Sequence, residues 1–295
     1  MSIKIKSIGI VGGGEMGCEI AIQCAYSGFN VTVFDIAEDA QTMVKQRLDR
    51  MVTFNTNNGT WSSQDAEKAH QNLSITTNLT DLANVDLINE SVFEDLAVKK
   101  DIWSKLANIC SEHTIFTTNS SSLRPSEFAQ STGRPKRFAA LHFHLTVSRI
   151  VDVMNHGSTD KEVMDTLEAF VPNIGLIPLR LEKEHPQYVL NSMIIGIQQI
   201  VGDLLVGEFT NYQDIDRCWM DFFNAPYGPC GLMDAVGLDT VASIMAAKKD
   251  NEKAQKFATY LQEKVAQGHC GVKTGQGFYS YPDPKFSQAS FIENK

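Results

Sequence analysis

Two rhythms of apolar spacing divide the chain near residue 180. Before it, short apolar runs alternate with helical stretches; after it, the spacing is helical almost throughout. The first run, 5–11, is nearly uninterrupted, which suits a strand buried on both faces of a parallel sheet. Residues 18–26 then read as a helix and 30–34 as a second strand. A long helical pattern over 38–54 breaks at 55–59, and Ser62-Ser63-Gln64-Asp65-Ala66-Glu67 starts a shorter helix with N-cap chemistry. The pair predicts a helical hairpin between the second and third strands. It is either a surface excursion or an arm over a substrate entrance. Further strands are expected at 73–76, 85–90, 114–118, 137–144, 149–154 and 176–179, with helices at 96–110 and 161–170. A charged, proline-containing linker spans 181–186. Helices follow from 188, around 212–223, 231–236, 238–247 and 252–266, with one strand-like stretch at 277–281.

The turn from first strand to first helix reads Gly12-Gly13-Gly14-Glu15-Met16-Gly17. Gly12 suits the tight turn, Gly14 lets a pyrophosphate approach the backbone, and Gly17 lets the helix pack closely. The helix N-terminus favours the anion. Asp35 ends the second strand about 20 residues beyond Gly14, the spacing of a ribose-binding carboxylate. A carboxylate there repels a 2′-phosphate, which argues for NAD over NADP. A structural turn with a chance aspartate is the competing reading. The expected fold is therefore α/β: a Rossmann dinucleotide-binding domain (1–183) with an inserted helical hairpin, then an all-helical domain (184–295) for substrate binding and dimerisation.

Composition narrows the partners. A chain of 295 residues exceeds one comfortable core. A net charge of −9 argues against nucleic acid, which needs a basic face. No uninterrupted apolar run approaches the ~18 residues of a membrane span, and no signal-peptide pattern opens the chain. The six cysteines are scattered without ligand-like spacing and read as reduced thiols. A cytoplasmic homodimer acting on a small molecule, with no nucleic-acid or membrane partner, is the expectation.

Oxidising an alcohol onto a nicotinamide requires a group that takes the hydroxyl proton, and histidine titrates near neutrality. His142, ending a strand beyond the nucleotide half, is the candidate; a backbone-satisfied core histidine is the rival. Asp152 on the next strand either orients that imidazole or is a surface acid. His144 shares the strand face of His142, but without a third ligand at metal spacing no metal is expected. Asn119 to Ser122 form a polar cluster at a strand's C-terminal end, where open α/β sheets place ligands; an N-cap cluster is the alternative.

Ordered motifs along nearly the whole chain resemble the L-3-hydroxyacyl-CoA dehydrogenase family. They are the glycine turn, Asn89-Glu90-Ser91-Val92-Phe93-Glu94-Asp95-Leu96 with Val98-Lys99, Thr118-Asn119-Ser120-Ser121-Ser122-Leu123 and Leu141-His142-Phe143. Tyr188-Val189-Leu190-Asn191-Ser192, Ala225-Pro226-Tyr227-Gly228-Pro229, Asp234 to Thr240 and Gly271 to Tyr279 continue the pattern. The bacterial 3-hydroxybutyryl-CoA dehydrogenase and diketoreductase branch is the most similar. The resemblance implies His142 as general acid/base, Asp152 as its partner, and Ser121 and Asn191 as donors to the reacting oxygen. It also implies Glu94 and Lys99 near the nicotinamide ribose. Glu15, Met16 and Asn119 complete the cofactor set, with the acyl group held between domains.

The chain departs from the family in three places. Leu145 stands where the family has asparagine, the His142–Asp152 stretch is two residues shorter, and the acid is Asp rather than Glu. The hairpin cations Lys45, Arg47, Arg50 and Lys68 are interspersed with acids, a modest charge for CoA phosphates. The expected reaction is interconversion of a short-chain 3-hydroxyacyl-CoA and its 3-keto form. The same chemistry on a free hydroxy or keto acid or ester, as in gulonate 3-dehydrogenase or diketoreductase, is the alternative. A non-catalytic, crystallin-like NAD binder is the reading of another class.

Overall fold

The computed structural model describes residues 4–37, 39–145 and 148–293. The expected helix start at Glu38 lies outside them. The chain divides into two compact units between Val189 and Leu190.

The first unit is built on one eight-stranded sheet: β1 (Ser7–Val11), β2 (Asn30–Phe34), β3 (Leu73–Thr76), β4 (Leu87–Glu90), β5 (Ile115–Thr118), β6 (Phe138–Phe143), β7 (Ile150–Met154) and β8 (Ile177–Leu181). Their spatial order is β3-β2-β1-β4-β5-β6-β7-β8. The first six strands run parallel; β7 pairs antiparallel with β6, and β8 runs parallel to β7. The strand order reverses direction at β1, which has β2 on one side and β4 on the other, and ligands of open α/β sheets bind at such a point.

Apolar side chains cover both faces. Ile8, Ile10, Val33, Leu141 and Val153 share one cluster with helices α1 (Glu15–Tyr26) and α5 (Lys161–Asn173). Ile88, Phe116 and Phe138 share another with Trp103 and Leu106 of α4 (Leu96–Ile109). The hairpin consists of α2 (Ala40–Asn57) and α3 (Ser63–Gln71). Ser62 and Asp65 form a reciprocal capping box that starts α3.

The second unit is helical: α6 (Tyr188–Val206, whose first two residues fall in the first unit), α7 (Tyr212–Phe223), α8 (Pro229–Val236), α9 (Leu238–Ala246) and α10 (Glu252–Ala266). Its core gathers Val201, Leu205, Met233, Val241, Phe257 and Leu261. α6 is long and apolar enough to cross a membrane by length and mean hydropathy (1.6) alone, which a count of uninterrupted apolar residues misses. It also carries Asn191, Gln198, Gln199 and Asp203. Within residues 277–281 only Ser280 makes an isolated bridge, to Gln276, and no strand forms. The N–H groups of Phe278 and Tyr279 are taken by the Asp234 carboxylate, so none is free to start a ladder.

Candidate active site

The glycine loop is tightly built except at one point. Gly12 has φ 107°, and a Cβ there would lie 2.6 Å from Ser91 O. A Cβ on Gly17 would lie 2.0 Å from Gly12 O, so only glycine lets α1 begin so close to the loop. At Gly14, the N-cap of α1, a Cβ would meet nothing within 4 Å, and no side chain caps the helix. The open backbone at a helix N-terminus fits a dinucleotide pyrophosphate. Asp35 Oδ2 accepts from Gly13 N at 2.8 Å, which fixes the carboxylate beside the loop. Glu15 takes both oxygens to Arg50 (2.7 Å each), Arg47 donates to Gly13 O at 2.9 Å, and Met16 packs on the core.

At the same, C-terminal end of the parallel strands, the antiparallel ladder sets His142 directly opposite Asp152. The Ser121 hydroxyl lies 3.0 Å from His142 Nε2, and His142 Nδ1 lies 3.4 Å from Asp152 Oδ2. His144 Nε2 approaches the same oxygen to 2.6 Å. A carboxylate only accepts, so His142 donates from Nδ1 and His144 from Nε2. The Nε2 lone pair of neutral His142 therefore faces Ser121. Burial pushes His142 below its ordinary pKa; its bond to Asp152 opposes this, and His144 adds to the lowering. Burial raises the Asp152 carboxyl, but hydrogen bonds from His142 and His144 outweigh it and hold the acid below its usual range.

His142, His144 and Asp152 thus supply the third potential ligand that sequence spacing lacked, all three atoms lying within 4.8 Å of one another. The geometry favours hydrogen bonding. Two ligands of a tetrahedral zinc with 2.0–2.1 Å bonds stand about 3.3 Å apart, and 2.6 Å between Asp152 and His144 is a hydrogen-bond length.

Beside this cluster lies an ion network in which Lys99 and Glu90 are buried and Glu94 is exposed. Lys99, 1% exposed, places Nζ 2.6 Å from Glu90 Oε1 and 3.2 Å from Glu94 Oε2. Glu94 Oε1 accepts from Ser120 Oγ, Ser122 N and Oγ, and Leu123 N, tying down the loop that presents Ser121. Burial raises the Glu94 carboxyl, but those hydrogen bonds and Lys99 prevail and hold it at about 2. Asn119 Oδ1 accepts from Phe143 N and braces the end of β6. Asn191 is half-buried on α6 in the second unit.

Residues 7–185 match the 3-hydroxyacyl-CoA dehydrogenase NAD binding domain, and residues 188–281 match the C-terminal domain of that enzyme. The chain belongs to the 3-hydroxyacyl-CoA dehydrogenase family. Its sheet domain is accordingly an NAD-binding domain, and NAD is its cofactor. A 3-hydroxybutyryl-CoA dehydrogenase of Clostridioides difficile is 32% identical over 279 residues, covering 93% of this chain and 99% of that protein. The mitochondrial hydroxyacyl-coenzyme A dehydrogenase of Homo sapiens is 30% identical, covering 95% and 92%. A solved diketoreductase, described as acting on dicarbonyl compounds, superposes with a TM-score of 0.89 at 36% identity, covering 94% and 99%.

In this family member, one contributor to the site, Tyr188, carries no local signal of its role in the sequence. Tyr188 stacks on His142, with ring centroids 4.3 Å apart and planes 4° from parallel, and its hydroxyl donates to Ser120 O at 2.7 Å. Gln187 (φ 72°) and Tyr188 (φ 54°) both adopt left-handed backbone to bring the ring there, a region side-chain-bearing residues rarely occupy. Its signal in the sequence was instead its place at the head of the motif Tyr188-Val189-Leu190-Asn191-Ser192. A groove of about 570 Å³ also opens between α1 and the hairpin, lined by Glu15, Ile22, Arg50, Phe54, Trp61 and Leu145. Its volume is that of a small-molecule site.

Proposed function

We propose that the protein interconverts a short-chain L-3-hydroxyacyl-CoA and its 3-ketoacyl-CoA, with His142 as general base and acid. The observation that carries this is the chain Ser121–His142–Asp152 in a protein matching both domains of the family. NAD, when bound, supplies the hydride acceptor. Gly12, Gly14 and Gly17 would hold its pyrophosphate and Asp35 its ribose. Asp152 keeps the proton on His142 Nδ1, so the Nε2 lone pair, which faces Ser121 in the free protein, would take the substrate's hydroxyl proton as the carbinol carbon loses hydride and the Ser121 hydroxyl turns to the reacting oxygen. Ser121 donates to the reacting oxygen, and the imidazolium charge is opposed by the buried carboxylate. In reduction Nε2 returns the proton. Preorganised polar groups supply most of such a rate enhancement. The acyl portion would occupy the groove that Phe54, Trp61 and Leu145 help to line.

One observation favours a second reading, a free keto acid or diketo ester. Arg50 is bound bidentately by Glu15, and Arg47 is turned to Gly13 O, so two of the hairpin's four cations are committed within the protein. NADH consumption with acetoacetyl-CoA, acetoacetate and a 3,5-diketo ester at equal concentration separates the readings. Turnover of the thioester alone supports the first; turnover confined to the other two replaces it with the second. Silence on all three, with NADH still bound, favours a non-catalytic NAD binder. His142→Ala should bind NADH and lose turnover; unchanged turnover would remove His142 from the chemistry.

A homodimer is part of the same proposal, supported by exposed Met193, Ile200, Phe222 and Phe223 in the second unit, and light scattering of the purified protein tests it. So is a reducing, cytoplasmic setting, which the six free cysteines support and which fractionation of the native host tests.

A further inference from the structure

Asp152 is one methylene shorter than the family's glutamate, yet its distances to the two imidazoles differ the wrong way for a simple dyad. The partner that the family pattern implies, His142, stands at 3.4 Å, at the long limit of hydrogen bonding, while His144 stands at 2.6 Å from the same oxygen. All three side chains are buried, and Asp152 Oδ1 has no hydrogen-bond partner among the described residues. The rings of His142 and His144 meet edge to face at 4.4 Å. One carboxylate oxygen serves two donors, and the donor outside the expected dyad is the nearer.

We propose that His144 is a positioning residue of the reaction: its Nε2–H holds the Asp152 carboxylate, so that His142 receives a divided rather than a dedicated partner. The proposal rests on the assignment of His142 as the base. A donor at 2.6 Å weakens the oxygen as an acceptor and keeps it from closing on His142. The imidazolium of His142 is then stabilised less than in a dyad, and the neutral, proton-accepting form persists to lower pH. The groups facing His142 are Asp152 from β7, His144 beyond β6, Ser121 after β5, the stacked Tyr188, and Glu94, which is paired with Lys99. Of these, His144 alone both contacts the imidazole and competes with it for Asp152.

The test compares His144→Leu, which deletes the donor, with His144→Gln, whose amide can replace it. The readout is the pH profile of kcat/KM for alcohol oxidation. In His144→Leu the acid limb should move up by about one pH unit, a tenfold change in the protonation equilibrium; in His144→Gln it should stay with the wild type. Nitrogen-15 shifts of the wild-type imidazoles give a check that needs no variant: His144 should carry its proton on Nε2 and His142 on Nδ1. A limb unmoved or lowered in His144→Leu overturns the proposal, as does a proton on Nδ1 of His144. His142→Gln distinguishes the two levels. If it retains full turnover, the assignment of the base fails; if it is inactive and the His144→Leu limb stays put, only the role of His144 fails.

Discussion

Lys99→Met removes one charge from the most enclosed ion pair among the described residues and retains the apolar stem. Lys99 is 1% exposed and Glu90 is fully buried, so the substitution leaves a carboxylate without its cation in a dry site. Breaking a buried pair in this way costs ~3–5 kcal/mol. Glu90 keeps hydrogen bonds from Thr118 Oγ1 (2.7 Å) and Val92 N (2.9 Å), which puts the loss near the lower end, about 3 kcal/mol. For a domain of this size that lowers the melting temperature by roughly 6–12 °C. The pH dependence has a definite sign. Burial raises the Glu90 carboxyl, against the opposing pull of Lys99, Thr118 and Val92. A carboxyl with a raised folded pKa costs stability above that pKa, and the cost disappears as pH falls through it. Without Lys99 the folded pKa rises further, so the deficit should shrink between about pH 8 and about pH 5.5, above the range where Glu94 titrates. Urea denaturation at both pH values measures it. A loss below ~1 kcal/mol, typical of exposed pairs, or a deficit that grows on acidification would refute the reasoning. An unchanged melting temperature with weakened NADH binding would instead make Lys99 the cofactor contact that the family pattern implies.

Gly14→Ala should fold normally but weaken NADH binding at least tenfold, about 1.4 kcal/mol, whereas Gly17→Ala should fail to fold because its Cβ would meet Gly12 O. Fluorescence titration and soluble yield distinguish them, and full NADH affinity in Gly14→Ala would remove the pyrophosphate from this loop. Asp35→Ser should weaken NADH and narrow its advantage over NADPH; an undiminished preference in competition binding would deny Asp35 the ribose. Ser121→Ala removes the hydroxyl at His142 Nε2 and should lower kcat by about 10²-fold with NADH affinity retained. Equal kcat in stopped-flow reduction would take Ser121 off the reacting oxygen.

Local features were the legible ones. The glycine turn, the strand-ending Asp35 and the Ser62 cap each declare themselves within a few residues, because steric and capping demands act over that range. The direction of β7 did not. An apolar run from 149 to 154 says that a strand is buried, not which way it runs, and the partner of His144 depends on that direction. The burial of Lys99 was not legible either: lysine is rarely buried unless paired, and its partner Glu90 ends a separate strand. Tyr188 reaches His142 through two left-handed residues that are neither glycine nor asparagine, so nothing in the linker announced the turn. The stretch 277–281 alternates like a strand, but Asp234 claims its backbone donors first.

Because His142 and Asp152 face each other across one antiparallel ladder, their meeting is decided by parity. Side chains along a strand alternate with period two, so a one-residue change in the connection between β6 and β7 can turn the acid to the opposite face of the sheet. A two-residue change restores the same face. The stretch in this chain is shorter than the usual pattern by two. Chain length here is therefore adjustable in even steps, each changing how far the acid must reach while leaving it aimed at the same histidine.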